Sequence, residues 1–114
     1  MRLNGHSTRL TIFVGESHQY HHHPLYTEIV HRAHRARLAG AAVFRGIEGY
    51  GSAGTIHTHR ILSLAGDLPV MIVIVDNEER VRAFVDSLDG VVSRATCLIE
   101  PVEVVRLLDE GDGS

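Results

Sequence analysis

Val70 to Val75 reads VMIVIV, six consecutive apolar residues with no charge among them. Such a run, rich in β-branched side chains, belongs inside a sheet as a central strand. Pro69 precedes it and Asp76 follows it, so both ends are marked. A chain of 114 residues with 44% apolar content can build one core around that strand. We therefore expect one domain over residues 1–114, with an ordered core over about 9–107.

Leu10 to Val14 (LTIFV) reads as another mostly apolar strand. The polar stretch Gly15 to His23 ends it, and the termini Met1 to Thr8 and Asp109 to Ser114 read as mobile tails. Pro24 suits the first position of a helix, where its missing N–H costs nothing. Leu25, Ile29, Ala33 and Ala36 then recur at helical spacing, with Val30 beside them, and Gly40 is placed to stop the helix. A second strand is expected from Ala41 to about Ile47, and Ile56 to Leu64 has mixed strand character.

After the VMIVIV run, Asp76 and Glu79 resemble a capping pair. Val81, Phe84, Val85 and Leu88 mark a second helix to about Asp89, ended by Gly90. Thr96 to Ile99 and Val102 to Leu107 form a last strand pair, or one strand interrupted at Pro101, which belongs at an edge or bulge. The order strand, helix, strand, strand, helix, strand is the α+β, ferredoxin-like βαββαβ pattern. It gives one antiparallel sheet with two helices on one face. The other face then needs a cover, and self-association supplies one.

Charge narrows the function. Net charge is −3 and all eleven basic residues are arginine, so no general basic field exists to hold nucleic acid. Arginines can still grip a phosphate or carboxylate locally. No apolar run reaches membrane-span length, and the N-terminus lacks a signal-peptide pattern, so a cytoplasmic protein is expected. The lone Cys97 lies in an apolar run and reads as a buried, inert thiol. No nucleophile elbow, catalytic Cys–His pairing, zinc-protease helix or paired-carboxylate pattern is present, so the chain does not read as an enzyme.

The stretch Gly40 to Arg60, GAAVFRGIEGYGSAGTIHTHR, is where a site would sit. Four glycines in the nine residues from Gly46 to Gly54 suit a loop that takes positive φ or admits a close neighbour. Its backbone N–H groups could cradle a phosphate, with Arg45, His57 and Arg60 adding positive charge. A surface turn is the plainer reading of the same glycines. A metal-binding or metal-responsive module is the alternative from another class. It would use His57 and His59, whose spacing puts two imidazoles on one side of a strand, and the His18 to His23 tract. For His57 and His59 the plainer reading is a polar strand edge, and for the tract a solvated loop. A non-catalytic trimeric adaptor is a third possibility.

Together, LTIFVGE, PLY opening a helix, LAGAAVFRGIEGYG, IHTHRILSL, DLPVMIVIVDNEE and EPVEVVRL resemble an uncharacterised bacterial family, domain of unknown function 190. That family is similar to the PII signalling proteins. The resemblance covers nearly all of Leu10 to Leu107, and RGIEGYG is among its most specific parts. It implies a PII-like homotrimer in which adenine nucleotides lie in clefts between subunits. It also implies a loop after the second strand that contacts a protein or membrane-transporter target. Arg45 to Gly51 would be the base of that loop, and residues 49–59 would carry the signal. The ligand-binding residues expected on these grounds are Arg45, Gly46, Ile47, Glu48, Gly49, Gly51, His57 and Arg60, with no metal and no firm cofactor. Two departures are visible: Gly90 to Ala95 lacks the glycine- and lysine-containing pattern that PII proteins use for phosphates, and the loop after the second strand is shorter than theirs.

Overall fold

The computed structural model describes residues 5–50, the backbone of 57–58, and residues 67–105. In chain order the elements are β1 (Gly5–Gly15), β2 (Gln19–Tyr20), β3 (His23–Pro24), α1 (Leu25–Arg35) and β4 (Ala41–Arg45). Then come β5 (Glu48–Gly49), β6 (His57–Thr58), β7 (Pro69–Asp76), α2 (Glu78–Ser87) and β8 (Thr96–Val104). Four strands form one sheet in the order β4-β7-β1-β8, with every pairing antiparallel. This is the α+β, ferredoxin-like arrangement that the element order predicts.

The VMIVIV strand lies inside the sheet, and its residues alternate. Val70, Ile72 and Ile74 are buried, while Met71, Val73 and Val75 are half-buried on the opposite side. Leu10, Ile12 and Val14 of β1 join the first set. Against them pack Leu25, Ile29 and Ala33 from α1, Val81 and Phe84 from α2 and Leu88 at its C-cap, so both helices share one face. Strand register brings Phe44 and Phe13 to either side of Met71 on the other face, with Ala42, Thr11 and Leu98 along it. Phe13, Phe44 and Leu98 are exposed there.

Several boundaries differ from the sequence reading for local reasons. β1 begins at Gly5 because its first residues pair with the end of β8, Gly5 opposite Val104. β8 is one strand that runs through Pro101, and it lies at the sheet edge, where a missing N–H is tolerated. Cys97, on that edge strand, is exposed rather than buried, although its apolar surroundings push the thiol pKa up. Pro24 sits one residue earlier than expected, at the N-cap of α1.

The helix stops also shift. Arg37, not Gly40, turns the chain at the end of α1, with φ of 61°. Arg37 N–H bonds the His34 carbonyl and Leu38 N–H bonds the Ala33 carbonyl, the paired closure usually built on glycine. α2 is capped by Asn77, whose side chain accepts from the Arg80 N–H at 2.9 Å. Asp76 is instead the last residue of β7 and is buried. Gly90 follows α2 with φ of 83°, as expected of a helix stop.

The His18 to His23 tract is a small hairpin, β2 with β3, turned through His21 and His22 at positive φ. His21 stacks on Tyr20 with ring centres 4.1 Å apart. Nε2 of His23 lies 2.8 Å from the Glu28 carboxylate, which also accepts from Arg32 Nε at 2.6 Å. Those bonds, Arg32's first and His23's second, lower the Glu28 pKa from 4.5 to about 2. Between these values the unfolded chain takes up the proton and the folded chain does not. The stabilisation is therefore complete above about pH 4.5 and is lost as pH falls toward about 2. Thermal melts of wild type and Glu28→Gln across that window should show a stability gap that shrinks with falling pH. A constant gap would contradict the linkage.

Candidate functional site

β4 ends at Arg45, and the chain then folds over the start of β7. Gly46 N–H donates to the Pro69 carbonyl at 2.7 Å. A Cβ on Gly46 would stand 2.7 Å from Pro69 Cγ, and one on Gly49 would stand 3.0 Å from it. Neither glycine has positive φ, so what they provide is close approach to the proline ring. β5 and β6 pair next, with Glu48 opposite Thr58 and Gly49 opposite His57.

Arg45, Gly46, Ile47, Glu48 and Gly49 thus stand at one rim of the sheet, with the backbone of His57 returning beside Gly49. Gly51 and Arg60 lie outside the described residues, as does His59. Among the described residues, no group of three or more histidine, cysteine, aspartate or glutamate side chains is placed to hold a metal ion.

The rim contains residues that the sequence reading missed. Arg45 Nε lies 3.0 Å from Glu16 Oε2. Glu16 N–H donates to the Leu68 carbonyl at 2.8 Å, and Ser17 N–H donates to Asp67 Oδ1 at 2.8 Å. The ends of β1, β4 and β7 are laced together by these bonds. Nothing in the local pattern around Glu16 gives its partner, because the contact exists only once the strand order is known.

β8 starts at the same end of the sheet, since Thr96 pairs with Phe13 two residues before Gly15. An open hollow of about 500 Å³ lies beside it, lined by Val85, Leu88, Val92, Ser93 and Cys97 among others. The rim around Arg45 and this hollow therefore share one end of the sheet but occupy opposite edges. Among the described residues, no helix is long and apolar enough to cross a membrane.

The fold is that of the PII-like proteins. It is similar to CPII, a nitrogen regulatory PII-like protein from Thiomonas intermedia K12 solved with ADP, AMP and bicarbonate. The TM-score is 0.66 at 17% identity, covering 89% of this chain and 90% of that one. A PII-like protein from Thermus thermophilus gives a TM-score of 0.63 at 18% identity, covering 90% and 94%. Residues 7–104 match the family described as Uncharacterized ACR, domain of unknown function 190, and the chain belongs to that family. A UPF0166 protein of Aquifex aeolicus is 36% identical over 98 residues, 86% of this chain and 92% of that protein.

Proposed function

We propose that this is a PII-like signalling protein, a single non-catalytic domain over residues 1–114. It assembles as a homotrimer and binds a small ligand, an adenine nucleotide, at subunit clefts. The ligand residues are Arg45, Gly46, Ile47, Glu48, Gly49, Gly51, His57 and Arg60. The signal passes through residues 49–59 to a protein or membrane-transporter target in the cytoplasm.

The observation that carries this reading is the gathering of Arg45, the Gly46 to Gly49 backbone and the returning His57 strand at one rim. Arg45 supplies a guanidinium for a phosphate, and Glu48 can accept from a ribose hydroxyl or an adenine amino group. The exposed Phe13, Phe44 and Leu98 favour burial of the open sheet face against other subunits. Because the Arg45 rim and the hollow near Ser93 lie on opposite edges, a ring of subunits would set one beside the other across each interface. The nucleotides held by CPII support the choice of ligand.

Titration calorimetry with ADP and ATP tests the ligand, and light scattering tests the assembly. Arg45→Ala should weaken nucleotide binding by about tenfold or more, the loss of one charge-assisted bond, while the trimer persists. No heat with any adenine nucleotide at millimolar concentration, or a stable monomer at micromolar concentration, would overturn the reading.

A further inference from the structure

We propose that Glu16 is a built-in competitor for the Arg45 guanidinium, so that an anionic ligand must take Arg45 from Glu16. This rests on the nucleotide reading and adds a residue that tunes it. The Arg45 Nε to Glu16 Oε2 distance is 3.0 Å, with the side chains 60% and 35% exposed. Both partners are therefore reachable from solvent, and the pair can open without disturbing the core.

Glu16 is not on a loose tether. Its N–H is held by the Leu68 carbonyl, and the N–H of Ser17 is held by Asp67. Those bonds fix the backbone from which the carboxylate reaches Arg45. They do not involve that carboxylate, so Glu16→Gln removes the charge and leaves the anchors in place. Arg45 is likewise fixed, as the last residue of β4 opposite Val70. The two side chains start from set positions at one end of the sheet, on the ends of the two strands that flank β7, which makes the pair a standing feature of the rim.

An internal competitor lowers apparent affinity by the fraction of time it holds the site. Exposed ion pairs shift such equilibria by about 1.5- to fivefold. The masking is thus weak enough for a phosphate to overcome and strong enough to measure. Once displaced, the Glu16 carboxylate remains close to the ligand and opposes it by charge, so direct repulsion must be separated from competition.

A double-mutant cycle read by ADP calorimetry at low salt does so, using wild type, Glu16→Gln, Arg45→Ala and the double variant. Glu16→Gln should bind ADP about two- to fivefold more tightly than wild type. The gain should largely disappear when Arg45 is alanine. Wild-type binding that Glu16→Gln leaves unchanged or weakens overturns the masking while the nucleotide reading stands. An equal gain with and without Arg45 assigns the effect to direct repulsion and also overturns it. Absence of heat from all four proteins overturns the nucleotide reading, and this inference with it.

Discussion

Asp76→Ala is expected to destabilise the fold by about 3 kcal/mol, measured as the change in urea unfolding free energy. Asp76 is 0% exposed and holds three elements together. Its Oδ2 accepts from Ala39 N–H at 2.9 Å and its Oδ1 from Asn77 N–H at 2.7 Å. Arg80 Nε lies 3.3 Å from Oδ1. The same arginine donates through Nη2 to the carbonyls of Ala36 and Arg37. The pair therefore ties the end of β7 and the start of α2 to the connection after α1, where Arg37 holds a left-handed conformation. Removing the carboxylate leaves the buried Arg80 Nε without its counter-ion and the Ala39 and Asn77 N–H groups without their acceptor, while Nη2 keeps its two carbonyls. The cost falls at the lower end for a broken buried pair because Arg80 keeps some contact with water. Asp76→Asn keeps one acceptor and should lose less. A loss below about 1 kcal/mol for Asp76→Ala would show that water satisfies these groups without cost.

Asp76 also shows where sequence reasoning reaches and where it stops. An Asp before two glutamates reads as a helix cap, because capping chemistry is local and Asp and Asn serve it almost equally. Asn77 takes the cap, and Asp76 points into the protein toward partners such as Ala39, 37 residues away in sequence. The strands and helices themselves were legible. VMIVIV could only be interior, and the i, i+3, i+4, i+7 spacing of Val81, Phe84, Val85 and Leu88 could only be a helix face. Their order then gave the sheet topology.

Elements that depend on pairing were less legible. The first residues of β1 look like a polar tail until β8 is beside them. The β2–β3 turn uses two histidines at positive φ, where Asn or Gly would have been the signal. Cys97 sits in an apolar run, but on an edge strand such a run is not a sign of burial. At the candidate site the glycines drew attention to the backbone from Gly46 to Gly49. Their close neighbour turned out to be Pro69, and the partner of Arg45 turned out to be Glu16.

Phe84→Ala should cost about 3–5 kcal/mol, the range for truncating a buried aromatic ring. Phe84 is 4% exposed and belongs to the cluster formed by α2 with β1 and β7. Val81 and Leu88 flank it on the helix, and Leu10, Ile12, Ile72 and Ile74 supply the sheet side. These side chains stand on a regular sheet and two helices, so they cannot collapse fully into the space left by the ring. Most of the cavity term should therefore persist. Phe84→Leu fills much of that volume and should cost clearly less. Beyond α2 the chain passes Gly90 and lines the hollow near Ser93. Loosening the helix should therefore also disturb the edge that the proposed cleft requires. Urea unfolding of the two variants against wild type gives the measurement. A loss below about 1 kcal/mol for Phe84→Ala would mean that α2 does not rest on this face of the sheet.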